Sequence, residues 1–440
     1  MAPTPSDIPG PDLDALRALA LAELPPVEPE ALRRSDGTAL RIHLSADPSG
    51  LSGFRAAAAE GRAPRAVMGI GPESALDAFG ATAHHLGAPA LGFDLRPERG
   101  SALLASEDDP SPGLRRRCET WEVPPIPSRV EGAPEPGDSG PEAELRRRVH
   151  RTRAARGREA ARRLDGTLGG RTRFTTAEAE AGLLEDGPAL ALEVAEAGGD
   201  PFWAAAAAVA RAARRLACVG AEPLGLVLRL GIAGGEDRDK DGAHLEQVCM
   251  GVRQACLSLG LPLAEATVGR GGPALLVAAA GLLDGSPGPV DPEAPDAKGL
   301  AWAGPRCAGR RARKVLDGLH LLGGGDGDLP LDLDLRLQAC VREGVRLGLL
   351  RSAAVVGPGG VAGEAAEVAG PLGVQLFLPG GADLDPEAPG RVLATTGGEG
   401  ESALRTLCAT HRVPLLKVGV IGGGRVALAL DGDPVADLEP

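Results

Sequence analysis

The stretch that decides the fold lies at residues 199–236 and reads GDPFWAAAAAVARAARRLACVGAEPLGLVLRLGIAGGE. Asp200 followed by Pro201 is a favoured N-cap and first-turn pair, so a helix is predicted over 202–218. The apolar run 223–230 then predicts a strand. The stretch therefore reads as one helix–strand unit of an α/β domain.

Neighbouring segments continue this pattern. The sequence predicts buried strands over 187–194 and 274–283, and a helix over 243–259 that follows a loop at 231–241. Strands that alternate with amphipathic helices are typical of a mixed α/β (α+β) fold.

The composition argues against several classes of function. Forty-seven basic residues against 60 acidic ones give a formal charge of −13, which disfavours nucleic acid or an anionic membrane as the main partner. The longest apolar runs, 203–210 and 273–283, fall short of the roughly 20 residues that a bilayer span needs. The N-terminus shows neither the positive nor the apolar region of a secretory signal. We therefore expect a cytoplasmic protein that binds neither nucleic acid nor membrane.

Two residue types limit the chemistry of any site. The chain has no Asn, so no side-chain Asn can serve as a ligand. Its seven Cys are scattered and never form a C-x-x-C pair, so zinc and redox motifs are not expected, and no metal ligand is assigned. Cys249 and Cys256 recur on one face of a predicted helix, which favours buried, reduced thiols.

Shifts in composition divide the chain into six parts. These are a Pro- and acid-rich tail with one short helix at 13–24 (1–34), a small α/β module (35–105), a linker with an Arg-rich helix (106–165), a longer globular region (166–290), a second linker (291–304) and a final α/β region (305–440).

The small module contains a candidate nucleotide loop. Gly69 and Gly71 lie in a predicted turn, 69–72, before a helix over 73–86, and Asp94 ends the next predicted strand. This spacing is similar to a dinucleotide-binding fingerprint with its ribose-binding acid, but the third glycine is missing. The alternative, which we favour, is that the two glycines form an ordinary turn between a strand and a helix and bind no nucleotide.

The helix over 146–163 carries Arg on nearly every face. It has no interleaved aromatic residue for base stacking, so a nucleic-acid arm is disfavoured. A solvated connector, or a helix that docks on the acidic body, is the better interpretation.

Several separate blocks resemble one family. Residues 199–236 are similar to the large, synthetase subunit of formylglycinamidine ribonucleotide synthase, within the aminoimidazole ribonucleotide synthetase-like superfamily. Blocks at 171–176, 329–376, 386–396 and 413–430 resemble the same family in the same order.

The resemblance implies N- and C-terminal synthetase-like domains preceded by the small α/β module. It also implies an enzyme that uses ATP and Mg²⁺ to phosphorylate an amide oxygen, after which ammonia displaces the phosphate. The first domain would contribute strands to a barrel shared between subunits, so a homodimer, or an assembly with related synthetase and glutaminase subunits, is expected.

The positions that hold metal and ATP in the family have changed. In the first domain they fall on Trp203, Arg215, Leu228, Gly231 and Gly234, and in the second on Ala354 and Val355. Mg²⁺ needs hard oxygen ligands, so catalysis is expected to be weak or absent. Two hypotheses follow: a divergent synthetase of purine biosynthesis, or a non-catalytic structural or regulatory paralogue.

Other family positions persist, namely Ser352, Gly359, Gly360 and Glu367. Together with Gly357, the glycines could cradle a phosphate through backbone N–H groups ahead of a helix over 361–369. The alternative, which we favour, is a tight strand-to-helix turn. No catalytic residue is assigned.

Overall fold

The computed structural model of the protein describes fifteen segments of the chain. They are residues 13–32, 39–44, 66–71, 92–94, 139–156, 172–174, 181–184, 188–195, 200–232, 238–270, 275–283, 309–324, 330–357, 359–379 and 390–439.

A six-stranded sheet forms the first large layer, in the order β4-β5-β6-β9-β7-β8. Its strands are β4 (Thr172–Phe174), β5 (Gly182–Leu184), β6 (Pro188–Ala195), β7 (Ala221–Ile232), β8 (Leu263–Arg270) and β9 (Leu275–Leu283). β7 and β8 run parallel, as expected for strands joined by a helix, and the other neighbours are antiparallel. The strands predicted in this region are confirmed.

Two helices pack on this sheet, α3 (Pro201–Cys218) and α4 (Arg238–Leu259). Their close approach depends on Gly251, because a Cβ there would overlap the carbonyl group of Phe202. The predicted helix at 202–218 is confirmed. α4 begins five residues before the predicted position 243, since its first turn (RDKD) is charged and gives no apolar periodicity.

The segment near the N-terminus covers the edge of this sheet. α1 (Leu13–Glu23) packs against α4 and β8, and confirms the predicted short helix. Val27 then forms an isolated parallel bridge with Leu263, and the Glu28 N–H donates to the Leu263 carbonyl oxygen at 2.6 Å. The open edge of β8 is thereby partly paired.

A three-stranded sheet contains β1 (Ala39–Leu44), β2 (Ala66–Gly71) and β3 (Gly92–Asp94). The predicted turn at 69–72 is wrong at its start, because Gly69–Gly71 continue β2 and pair with β1 and β3. Glycine alone does not end a strand when two neighbouring strands supply its hydrogen bonds. The helix predicted at 73–86 lies outside the described residues.

The second large layer is a seven-stranded sheet, in the order β11-β13-β10-β14-β12-β15-β16. Its strands are β10 (Gly318–Gly323), β11 (Ser352–Val355), β12 (Val374–Leu378), β13 (Arg391–Thr396), β14 (Leu415–Ile421), β15 (Val426–Leu430) and β16 (Asp433–Leu438). One face packs against α6 (Gly360–Ala369), and the other against α5 (Leu331–Arg346) and α7 (Glu401–His411).

The Arg-rich helix is docked on this second unit. α2 (Pro141–Arg156) packs against α6 and β16, and its Leu145 and Val149 join the core beneath α6. The docked interpretation is therefore the correct one, and the solvated connector is wrong. These two apolar side chains, four residues apart, form a buried stripe along α2. The stripe is hard to recognise in the sequence because most of the neighbouring residues are arginines.

The two large units meet through α3 and α5. Arg214 of α3 and Asp334 of α5 form a fully buried ion pair at 2.7 Å. Ala217 and Cys218 of α3 enter the same apolar core as Leu337 of α5. None of the helices in the described ranges combines the length and apolar character needed to cross a bilayer.

Candidate functional site

The glycine-rich loop singled out in the sequence joins β11 to α6. The Gly360 N–H donates to the Gly357 carbonyl oxygen at 2.9 Å, which closes a tight turn, and Gly360 has a φ of +69°. An L-residue rarely adopts that angle, so glycine is needed at this position for the backbone alone. All ten residues of α6 are buried.

Helix α2 covers the start of α6. A Cβ at Gly359 would overlap the Thr152 hydroxyl and the Arg148 carbonyl oxygen. At Gly363, one turn later, a Cβ would lie 2.6 Å from the same two atoms. The two glycines therefore form a groove of small residues into which the backbone of α2 fits.

The covering helix brings polar groups to this groove. The Thr152 side chain is fully buried, and its hydroxyl has no hydrogen-bond partner among the described residues. Arg148 lies beside it and forms an ion pair with Glu144 at 3.0 Å. Burial opposes ionisation of Glu144, but Arg147 and Arg148 together hold the pKa of that carboxyl below its usual value.

Ser352 and Glu367 flank the loop at some distance along the chain. Ser352 lies at the start of β11, and its hydroxyl is 2.7 Å from the Thr395 hydroxyl of β13, with both groups buried. Glu367 lies on the second turn of α6 and is 5 % exposed. The structure thus gives Ser352 a cross-strand hydrogen bond within the sheet.

A second carboxylate near the loop was missed by sequence reasoning. Glu364 is fully buried on α6 and binds the equally buried Arg310 at 3.1 Å. A Cβ at Gly357 would lie 3.9 Å from a Glu364 carboxylate oxygen, so the Arg310–Glu364 ion pair lies next to the loop. The signal was present, since Glu364 and Glu367 are the two acids of an otherwise apolar helix.

Three of the positions that the resemblance aligns with family ligands hold buried apolar side chains. Leu228 and Ala354 are fully buried, and Val355 is 2 % exposed. Gly231 lies near the end of β7, and Gly234 is outside the described residues. Trp203 is half-exposed and packs edge-on against Phe202, with ring centroids 4.9 Å apart.

Arg215 belongs to a partly buried ion cluster between α3 and β6. It binds Glu193 of β6, which also accepts a bond from Arg211 at 3.2 Å. Burial opposes ionisation of Glu193, but Arg215 and Arg211 bring the pKa of its carboxyl below the usual value. The cluster fixes α3 to the sheet.

The other candidate residues do not meet this loop in a described contact. Gly69 and Gly71 lie on β2 and Asp94 on β3, where Ile70 and Asp94 are paired in the parallel register. Within the residues that the structure describes, no three His, Cys, Asp or Glu side chains form a group that could hold a metal ion.

Known proteins match the region around α3 and the strands beside it. The family model "AIR synthase related protein, N-terminal domain" matches residues 186–283. A phosphoribosylformylglycinamidine synthase subunit PurL from Thermomicrobium roseum is 30% identical over 259 residues, covering 54% of this chain and 35% of that protein. The corresponding subunit from Synechococcus sp. WH7803 is 32% identical over 283 residues, with the same two coverages. The matched part of the chain thus spans about a third of the length of these relatives.

Solved structures give weaker likenesses. PurL from Thermotoga maritima complexed with ATP matches with a TM-score of 0.45 and 19% identity, over 59% of this chain and 45% of that chain. A chain of the HypE–HypF complex matches with a TM-score of 0.43 and 14% identity, over 60% of this chain and 92% of that one.

The family model matches the segment that the sequence indicated as decisive for the fold. It covers the helix start at Asp200-Pro201, α3 and the strands β6, β7 and β9. Residues 186–283 are therefore similar to the N-terminal domain of AIR synthase related proteins, and about half of the chain is similar to the synthase subunit PurL.

Proposed function

We propose that this chain is a divergent relative of the ATP-dependent formylglycinamidine ribonucleotide synthase in which catalysis is weak or absent. The single observation that carries the proposal is the burial of Leu228, Ala354 and Val355 at positions aligned with metal and ATP ligands. Mg²⁺ takes oxygen ligands, and phosphoryl transfer depends on the charge neutralisation that it supplies. Apolar side chains packed in a core cannot replace those oxygens.

The retained loop is the place where residual nucleotide contact would occur. Backbone N–H groups at Gly357 and Gly359 are the candidate phosphate donors, because a helix N-terminus attracts anions, whereas the Gly360 N–H is already bonded to the Gly357 carbonyl oxygen. Ser352 and Glu367 would support the loop from the sheet and from α6. The docking of α2 against Gly359 argues that this contact is restricted in the folded chain.

The alternative function is a structural or regulatory partner of an intact synthetase. Relatives of the chain are named as subunits, which supports an assembly with synthetase or glutaminase subunits, or a homodimer. We further propose that 166–290 and 305–440 act as the two synthetase-like domains and that the protein works in the cytoplasm. The contact between α3 and α5 supports their acting as one unit.

Titration calorimetry of the full chain with ATP and MgCl₂ tests the proposal, with a catalytically active relative as the positive control. We expect no saturable heat at millimolar nucleotide. Saturable binding that requires Mg²⁺ would overturn the proposed loss of the site. Under that outcome, ATP and Mg²⁺ would be its cofactors, and a synthetase assay with ammonia as the nitrogen donor would follow.

Sedimentation velocity tests the assembly. We expect a dimer or a larger species at micromolar protein concentration. A single monomeric boundary would contradict the homodimer. Sedimentation after mixing with other subunits would then test the remaining form of assembly.

A nucleotide site in the small module is a separate candidate, based on Gly69, Gly71 and Asp94. The adjacency of β2 and β3 favours it, because Ile70 and Asp94 are paired in neighbouring parallel strands. Gly71→Val in the full chain is expected to abolish binding of a dinucleotide such as NAD at this site. Unchanged binding would remove the candidate.

A further inference from the structure

A pair of thiols lies between the two helices that cover one face of the seven-stranded sheet. Cys340 of α5 is fully buried and Cys408 of α7 is 1 % exposed. Their sulfur atoms are 3.7 Å apart, although the residues are 68 positions apart in the chain. Both cysteines belong to an apolar core cluster that also contains Leu337, Val341, Leu404, Leu407 and Val413.

This arrangement differs from that of other buried thiols in the chain. Cys249 and Cys256 lie two turns apart on α4, about 10 Å along its axis, so they cannot bond to each other without unfolding the helix. Both are buried, and burial raises the pKa of each thiol to about 12. They provide an internal reference for unreactive thiols.

We propose that Cys340 and Cys408 form an oxidation site, at which a peroxide converts the two thiols into an intramolecular disulfide. The sulfur atoms must close from 3.7 Å to about 2.05 Å, which a small shift of α7 against α5 allows. The disulfide would covalently join two helices that already share a hydrogen-bond contact between His411 Nε2 and a Glu343 carboxylate oxygen at 2.7 Å.

The chemistry balances with one peroxide. The Cys408 thiolate attacks a peroxide oxygen, the O–O bond breaks, and Cys408 becomes a sulfenic acid while hydroxide leaves. The sulfur of Cys340 then attacks the sulfenic sulfur, so the S–S bond forms and a second hydroxide leaves. The hydroxides take the two thiol protons, and the net products are the disulfide and two waters.

The order of attack follows from the contact between the two thiols. The hydrogen bond between Cys340 and Cys408, together with burial, raises the pKa of Cys340. The same hydrogen bond lowers the pKa of Cys408, because it stabilises the charged sulfur. Because Cys408 also lies on α7, which has fewer buried residues than α5, we assign the first attack to Cys408.

Helix α7 supplies the access route. Only Leu404, Leu407 and Cys408 of its eleven residues are buried, so local detachment of α7 removes few apolar contacts. Detachment exposes Cys408 to the oxidant, and reclosure brings Cys340 back to it. α5 is more deeply packed and stays in place.

The test uses the full chain with Cys118→Ser and Cys307→Ser, which removes two thiols outside the described residues. The protein is treated with hydrogen peroxide, denatured in an alkylating agent and digested for mass spectrometry. We expect a linked peptide joining Cys340 and Cys408, while Cys249 and Cys256 are alkylated as in the untreated protein. Dithiothreitol is expected to reverse the link, and the linked chain is expected to melt at a higher temperature than the reduced chain.

Cys340→Ala and Cys408→Ala separate this pairing from general oxidation. Each variant is expected to lose both the linked peptide and the oxidation-dependent rise in melting temperature. Cys249→Ala is the matched control and is expected to keep both. The proposal is overturned if Cys340 and Cys408 stay fully alkylatable after oxidation, or if links to other cysteines form as readily.

Discussion

Helices α3 and α6 each lie against a central sheet, but different interactions fix them in place. α3 starts at Asp200, whose carboxylate accepts hydrogen bonds from the Phe202 and Trp203 N–H groups at 2.9 and 3.4 Å. Its later turns are held by ion pairs to Glu193 and Asp334. α6 has no side-chain cap and starts at a glycine turn that α2 covers. Local side chains thus define one helix, and contact with a distant helix defines the other.

The largest expected effect comes from removing the charge that holds α3 to α5. Asp334→Ala leaves the buried Arg214 without its partner at 2.7 Å, and should lower the free energy of unfolding by about 3–5 kcal/mol. Urea unfolding measures the change. Asp332→Ala is the control, since the Asp332 side chain is largely exposed and its ion pair with Arg336 lies on the surface. Equal effects at the two positions would contradict the role given to the buried pair.

The next largest effect on stability is expected where α2 contacts the start of α6 at Gly359. Gly359 has a φ of −83°, so a side chain there is strained by α2 and not by its own backbone. Gly359→Leu should displace α2 and cost about 3 kcal/mol, with faster proteolysis within α2. Gly357→Ala is the matched control, because a Cβ there has no neighbour nearer than 3.9 Å. If Gly359→Leu leaves α2 protected, the groove formed by Gly359 and Gly363 is not what holds the helix.

The ion cluster beneath α3 should make stability depend on pH. The pKa of Glu193 is lowered in the folded protein, so its contribution is present above its ordinary value near 4.5 and is lost as pH falls through the folded value. Glu193→Gln should reduce the free energy of unfolding by about 1.5–3 kcal/mol at pH 7. The difference from the unmodified chain should shrink below pH 4.5. A difference that stays constant down to pH 3 would exclude the ionised carboxylate as its source.

The smallest effect concerns the helix cap. Asp200→Ala removes the acceptor for two N–H groups at the start of α3 and should cost about 1 kcal/mol. Asp200→Ser restores an acceptor and should recover most of that loss. The midpoint of urea unfolding distinguishes the variants, and equal stability of Asp200→Ala and Asp200→Ser would show that the cap contributes nothing.

Sequence reasoning succeeded where the determining interactions are local. The Asp200-Pro201 start and the strand after α3 were predicted, and the family model matches the same region. It failed at Gly69–Gly71, where pairing with two strands extends β2. It left the position of α2 open between two interpretations, because the arginines obscure the buried stripe of Leu145 and Val149.

The candidate loop also has features that local sequence predicts and features that depend on distant residues. The sequence indicated a strand-to-helix turn at Gly357–Gly360, and the positive φ of Gly360 explains one of its glycines. The reason for Gly359, and the ion pair beneath the loop between Arg310 and Glu364, could not be read from the chain. Residues that are distant in sequence meet there, and no local pattern encodes such a meeting.

The sequence by itself determined the order of most helices and strands around α3 and the resemblance of that region to a synthetase family. Capping, periodicity and residue chemistry are properties of short stretches, so they can be read before the chain folds. Only the tertiary structure decided that α2 covers α6, that Arg214 meets Asp334 and that Cys340 meets Cys408. These contacts join elements far apart in the chain, and they arise from how the large apolar faces pack together.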